Sequence, residues 1–129
     1  MTNGVLLLIG LLTSHYLADY CLTWPFMIRA KADGKNIWPI LLHGAVHALL
    51  MGLCLMAYGT TLEMLALLML LELVTHTAID TVKGLLTAAN PRLADTHHKG
   101  YWMLYGFDQL LHQIVVVAIW YLATRPATI

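Results

Sequence analysis

The sequence is poor in charged residues and in cysteine. Only 11% of its 129 residues are charged, and seven acidic residues balance seven Lys and Arg. Without a basic excess, the chain lacks the charge footprint of a nucleic-acid-binding protein. Cys21 and Cys54 stand singly in apolar segments, without the paired spacing of a thiolate zinc site or a disulfide framework. We therefore assign both cysteines to packing.

Apolar residues dominate what is present. They make up 60% of the chain, and the mean hydropathy is +0.72, far above the range of soluble globular proteins. The first segment lacks the basic start and the small-residue cleavage site of a signal peptide, so we expect it to be retained. No repeat or long linker divides the chain, which predicts a single integral membrane domain over residues 1–129.

Four apolar segments of about 20 residues have the length that spans a membrane. Short polar or proline-containing stretches separate them, among them a predicted loop from Arg29 to Asn36. The sequence therefore predicts an all-α fold, a four-helix transmembrane bundle. Its predicted helices cover residues 4–23, 37–58, 62–86 and 103–123.

Lysine and arginine are distributed unequally between the two ends of such a bundle. The end with the first and third connections holds six of the seven, and the end with both termini holds only Arg125. The positive-inside rule then places the basic loops in the cytoplasm and both termini outside it.

Each predicted helix carries one pair of ionisable residues four positions apart, a spacing that places two side chains on one helical face. In an antiparallel bundle the four pairs lie at one depth, in the cytoplasmic half. A lone intramembrane histidine or aspartate is most often a packing hydrogen-bond partner, but four pairs at one level favour a shared site. The pairs are His15 and Asp19, His43 and His47, His76 and Asp80, and Asp108 and His112.

Eight potential ligands suit two metal ions rather than one. Mixed imidazole and carboxylate groups favour Zn, Mn or Fe over Ca or Mg, so all eight residues are candidate ligands. Asp80 and Glu72 are also candidate proton acceptors, and Glu72 is alternatively a ninth ligand. Lys83 or Arg92 is a candidate for binding an anionic substrate. Snorkelling of Lys83 to the headgroups and a structural hydrogen bond of Glu72 are the plainer alternatives. His97 and His98 are interpreted as solvated loop residues.

Together these motifs resemble a family of small bacterial and phage-encoded membrane proteins, filed as a domain of unknown function. The family pattern is HxxxDF, a lysine, a histidine-bearing second helix, HxxxDxxK and a closing DQxxH. This chain has Tyr20 in place of the Phe, and Thr23 where a glutamine is expected. The pattern falls on His15 to Tyr20, Lys31, His43 to His47, His76 to Lys83 and Asp108 to His112.

The family resemblance implies no activity, but it implies a multi-pass protein of a bacterial inner membrane, or of the membrane of a phage-infected cell. A looser similarity links the chain to inner-membrane metal-dependent hydrolases, which also scatter His and Asp over apolar helices. The shared depth of the four pairs, at headgroup level beside the basic loops, leads us to predict a metal-dependent hydrolase with a phosphoester or lipid-headgroup substrate and two divalent ions, and the looser similarity agrees with this prediction.

Three other functions stay open at this point. Metal or proton transport needs polar residues through the full membrane thickness, and the outer half of the predicted bundle is almost entirely apolar. Bis-histidine haem binding places three aspartates beside an apolar macrocycle. A structural subunit would use the polar layer only to fix helix register. Assembly of the chain with copies of itself also stays open.

Overall fold

The computed structural model describes residues 2–125, and the regular structure within this range is entirely helical. The predicted all-α bundle is confirmed. The predicted domain over 1–129 includes Met1 and residues 126–129, which lie outside the described range. The elements are α1 (Thr2–Tyr16), a π-helical segment (Leu17–Cys21), α2 (Pro25–Asp33), α3 (Ile37–Tyr58), α4 (Leu62–Ala89), a 3₁₀ turn (Pro91–Leu93) and α5 (Lys99–Thr124).

Four stretches are long and apolar enough to cross a membrane. They are Asn3–Cys21, Ile37–Tyr58, Leu62–Ala89 and Lys99–Thr124. α1 packs against α3 and α5, and α4 packs against the same two helices on the opposite side. The four long helices therefore form a closed ring, with α1 and α4 running in one direction and α3 and α5 in the other.

The interior of the ring has two layers. One half is filled by apolar side chains from all four long helices, and the other half carries the ionisable residues. We call these the apolar half and the polar half. The apolar core consists of Leu7, Leu11, Met51, Leu55, Leu65, Leu68, Val116 and Ile119. Large apolar side chains also cover the outer surface, as expected of a bundle that faces lipid, for example Leu49 and Leu67.

The first connection contains a helix where the sequence predicted a loop from Arg29 to Asn36. α2 begins with Pro25, which suits the first turn of a helix, and it ends at Gly34, whose φ of 67° is the left-handed conformation that glycine adopts freely. The loop prediction was wrong for this segment. The hydropathy pattern did not indicate α2 because this helix is short and only partly apolar. α4 also extends to Ala89 and α5 begins at Lys99, so both are longer than predicted.

α2 is held against the bundle by a glycine contact. A Cβ on Gly84 of α4 would lie only 2.7 Å from the Gly34 Cα and 2.8 Å from the Lys31 carbonyl oxygen. Met27 and Ala30 of α2 are also buried, at 0% and 6% exposure. These residues share one helical stripe with Lys31, so docking of the stripe turns Lys31 towards the interior of the polar half.

A candidate metal centre in the polar half

The polar half contains a layer of ionisable side chains that is almost fully buried. His43 and Asp80 are 0% exposed, and the side chain of Asp19, the most exposed member, is only 6% accessible. Every long helix contributes to this layer, as the shared depth of the four sequence pairs predicts. The polar layer consists of His15, Asp19, His43, His47, Glu72, His76, Asp80, Asp108 and His112.

The four innermost members form a compact group, which we call the deep group. Its residues are His15, His47, Glu72 and His76, and each offers one ligand atom within 4.8 Å of the others. The Glu72 Oε1 atom lies 3.3 Å from His76 Nδ1 and 3.8 Å from His47 Nδ1. Adjacent ligand atoms around a tetrahedral zinc ion are about 3.4 Å apart. The two distances are near this value, and the shorter one is also a hydrogen bond between Glu72 and His76.

Several imidazole nitrogens in the deep group lack partners within the described chain. Both ring nitrogens of His15 and both of His47 are buried without a hydrogen bond among residues 2–125. A buried polar atom left unpaired costs about 1–3 kcal/mol. A bound cation would satisfy one nitrogen of each ring, so the residues present fit a metal ion.

Two further groups overlap the deep group on the side nearer the polar end. Asp19 and His43 combine with His47 and His76, and Asp80 combines with His76 and His112. His76 belongs to all three groups. Its Nδ1 atom faces Glu72, and its Nε2 atom lies 3.5 Å from Asp80 Oδ2. The His76 ring therefore stands between Glu72 of the deep group and Asp80 of an outer group.

Lys31 reaches the two outer groups from α2. Its ammonium donates to Asp19 Oδ1 at 3.0 Å, and it lies 2.9 Å from His43 Nε2 and 3.0 Å from Asp80 Oδ2. Burial alone would lower the pKa of Lys31, but the carboxylates of Asp80 and Asp19 outweigh burial and raise it above its ordinary value. Lys31 therefore carries a positive charge at neutral pH.

Lys83 and Asp108 form a separate ion pair at the edge of the layer. Lys83 Nζ lies 2.8 Å from Asp108 Oδ2 and 3.8 Å from Asp80 Oδ1. Lys83 is thus held inside the bundle rather than extended to the headgroups. Asp108 does not belong to any of the three ligand groups formed by the described residues.

Asp19 is positioned by an irregular stretch of the first span. It lies in the π-helical segment Leu17–Cys21, where Leu22 N–H donates to Leu17 O at 3.0 Å. The Thr23 hydroxyl lies 2.8 Å from the Ala18 carbonyl and 2.7 Å from the Asp19 carbonyl, which completes the widened turn. Gln109 Nε2 donates to Asp19 Oδ2, the carboxylate oxygen that Lys31 does not contact, at 3.1 Å. Such π-helical turns are frequent at functional sites.

A cleft of about 370 Å³ leads from the surface to the outer edge of the polar layer. Asp19, Lys31, Lys83 and Gln109 line its inner part. Aromatic side chains line it further out, and the hydroxyl groups of Tyr20 and Tyr105 are hydrogen bonded to each other there. The cleft therefore brings two lysine side chains together with Asp19, which is the one candidate metal ligand that lines it.

A comparison with protein families identifies the domain. The model of the family described as "Protein of unknown function (DUF3307)" matches residues 7–128. The chain belongs to this family. Every member of the polar layer falls within the matched range of DUF3307, so the layer is part of the family's domain. No curated protein and no solved structure matches the chain.

The structure brings together most of the residues that the sequence selected in this DUF3307 domain. Seven of the eight candidate ligands fall in the three groups, and Glu72 joins them as a deep member. Asp108 is placed against Lys83 instead. His97 and His98 are exposed, and His98 Nδ1 accepts from the Gly100 N–H at the start of α5. Sequence reasoning missed Lys31 as a site residue, although its place in the family pattern was a signal.

Proposed function

We propose that this DUF3307 chain is a membrane-embedded metal-dependent hydrolase whose substrate carries a phosphoester, as a lipid headgroup does. One observation carries the proposal: a buried cluster of imidazole and carboxylate ligands lies at the inner end of a cleft bordered by two lysines. The cluster suits a divalent cation, and the lysines suit an anion beside it.

The residues divide into two cation positions. The deep group would hold one ion. The two outer groups, Asp19 with His43 and His47, and Asp80 with His112, would contribute ligands to a second, and His76 belongs to all three groups. Mixed nitrogen and oxygen donors favour Zn, Mn or Fe. Such ions make water acidic enough to act as a nucleophile at neutral pH and withdraw electron density from a phosphoryl group.

The protein's own side chains supply the remaining functions. Lys83 and Lys31 border the cleft and would bind the phosphoryl oxygens. Asp80 and Glu72 would accept protons, because both are buried carboxylates within 3.5 Å of a His76 nitrogen. The aromatic outer part of the cleft would contact the less polar part of the substrate.

We further propose an inner-membrane location with the polar half towards the cytoplasm. The polar end carries six Lys and Arg residues, whereas the opposite end has only Arg125. In this orientation the cleft opens at the level of the cytoplasmic headgroups.

Transport ranks below hydrolysis because of the apolar half. Leu11, Met51, Leu55, Val116 and Ile119 are at most 1% exposed, and they fill the interior on the side away from the site. A permeation path through this half would have to move an ion past packed hydrocarbon. Metal uptake into proteoliposomes that is abolished by His76→Ala would reverse this ranking.

Metal analysis and hydrolysis together test the proposal. Protein purified without a histidine tag is expected to contain, or to bind after loading, stoichiometric Zn, Mn or Fe. The loaded protein is expected to hydrolyse bis(4-nitrophenyl) phosphate or phospholipid in vesicles. His76→Ala should reduce both metal content and hydrolysis, because His76 belongs to every ligand group. His97→Ala is the matched control, since His97 is exposed.

Two outcomes would contradict the proposal. Protein that neither contains nor accepts metal would remove the metal centre. If the metal-loaded protein hydrolyses neither phosphoester, the chain is a metal-binding protein with another function.

A further inference from the structure

Lys31 occupies a position that resembles a cation site rather than an ordinary ion pair. Three acceptor atoms from three different spans surround its ammonium: Asp19 Oδ1 at 3.0 Å, His43 Nε2 at 2.9 Å and Asp80 Oδ2 at 3.0 Å. These three residues, which we call the Lys31 triad, all belong to candidate ligand groups. The only cation among the described residues that contacts all three is Lys31.

The donors and acceptors around the ammonium support this interpretation. An ammonium has three N–H donors and no lone pair, and three polar atoms lie within 3.0 Å of it. His43 Nε2 also lies 3.1 Å from Asp19 Oδ1, so the imidazole, the carboxylate and the ammonium belong to one hydrogen-bonded group. Imidazole and carboxylate are also the groups that bind divalent metal ions such as zinc.

We propose that Lys31 is a built-in counter-cation that occupies the outer metal position of the Lys31 triad until a second ion displaces it. The proposal rests on the proposed metal centre and adds an order of binding. The deep group, which Lys31 does not contact, takes the first ion. The second ion enters only when the Lys31 side chain leaves the triad.

The cleft provides a place for the displaced ammonium. Lys31 lines it together with Lys83, and its side chain is 13% exposed in its present position. α2 is docked through Gly34 and Gly84, so the movement that we propose is one of the Lys31 side chain alone. When a metal ion fills the outer position, the displaced Lys31 ammonium would join Lys83 as a second cation in the cleft. Anion binding would thereby be coupled to occupancy of both positions.

Removal of the ammonium tests the proposal. Wild type, Lys31→Met and Lys31→Arg would be dialysed to equilibrium against the same zinc buffer, and zinc per chain would be measured by elemental analysis. At a zinc concentration that gives wild type one ion, Lys31→Met is expected to bind two, a twofold rise. Lys31→Arg retains a cation and is expected to stay at one. Lys35→Met is the matched control, since Lys35 is exposed.

A second measurement uses the wild-type chain and does not depend on the folding of a variant. Lys31 is expected to react slowly with an amine-directed reagent at low zinc, and several-fold faster at saturating zinc, when its ammonium lies in the cleft. Mass spectrometry of peptides would report both lysines, and Lys35 should react equally under the two conditions.

The outcomes separate this inference from the proposed function. One ion in wild type and two in Lys31→Met, with zinc-dependent reactivity of Lys31, support it. One ion in both proteins, or reactivity of Lys31 that zinc does not change, overturns the inference and leaves the metal centre intact. No bound metal in any of the proteins overturns the proposed metal centre, and the inference with it.

Discussion

Lys83 shows how a single charge in a membrane helix can be kept inside a bundle. The sequence left two uses open for it, binding of an anion and snorkelling to the headgroups. In the structure its ammonium contacts Asp108, whose side chain is only 1% exposed. Removal of the lysine would leave this carboxylate buried without its counter-charge, which is among the more costly changes that a single substitution can make.

We expect Lys83→Met to lower the free energy of unfolding in detergent by about 3 kcal/mol, because the buried partner of a broken ion pair loses its compensation. The double variant Lys83→Met/Asp108→Leu should recover much of this loss. Lys99→Met is the control, since Lys99 is exposed. Equal effects of Lys83→Met and Lys99→Met would show that the Lys83–Asp108 contact contributes little.

Thr23 is a residue whose role only the structure reveals. Compared with the family pattern it replaces an expected glutamine, and nothing in the sequence explains the hydroxyl. Its Oγ1 lies within 2.8 Å of the Ala18 and Asp19 carbonyl oxygens, at the end of the π-helical segment. A residue in this position adjusts the backbone that carries Asp19. The amide that contacts the Asp19 side chain comes instead from Gln109 of α5.

At the scale of elements, α2 contributes to the site although it is too short to cross the membrane. It carries Lys31, and its orientation depends on the close approach of Gly34 to Gly84. A backbone contact of this kind requires that neither residue has a side chain. The short helix and the polar layer are therefore structurally coupled.

We predict that Gly84→Ala lowers the free energy of unfolding by about 1–3 kcal/mol, because the added methyl group overlaps the α2 backbone. Thermal unfolding in detergent would measure the change. Gly106→Ala on α5 is the matched control, since no neighbouring atom lies within 4 Å of the place that its methyl group would take. That control should be neutral or stabilising, as alanine is the better helix former. An equal loss in both variants would exclude the α2 contact as the cause.

The elements also show what local sequence patterns can and cannot predict. Hydropathy located the four spans, because a run of about 20 apolar residues is typical of a transmembrane helix. It did not reveal α2, whose nine residues include Arg29 and Lys31 and whose helix is stabilised by docking on α4. Nor did it reveal the π-helical segment, because one extra residue in a turn leaves the apolar composition unchanged.

At the scale of the whole molecule, the candidate site followed from topology. An antiparallel arrangement was enough to place His15, His43, His76 and His112 at one depth, because depth depends only on position along each helix. Depth alone does not predict which neighbouring side chain each residue contacts. Whether Asp108 faces Lys83 or a ligand group, and whether Lys31 reaches Asp80, depend on helix rotation and on the docking of α2.

The proposed orientation predicts which end of the bundle is accessible from each side of the membrane. Single cysteines at Thr61 and Thr96 would be introduced after replacement of Cys21 and Cys54 by alanine. In intact spheroplasts a membrane-impermeant maleimide should label Thr61→Cys, because Thr61 is exposed at the apolar end. Thr96→Cys should be labelled only in inverted vesicles. The opposite pattern would invert the topology.

The division of the bundle into two halves also has an electrical consequence. Water can approach Asp19 through the cleft, whereas packed side chains such as Leu55 and Ile119 fill the other half. A transmembrane voltage falls mainly across the region that excludes water and mobile ions. We therefore expect Asp19, at the outer edge of the polar layer, to stay near the potential of the solution at its own end. We expect metal occupancy to be independent of membrane voltage, even though every ligand comes from a membrane-spanning helix.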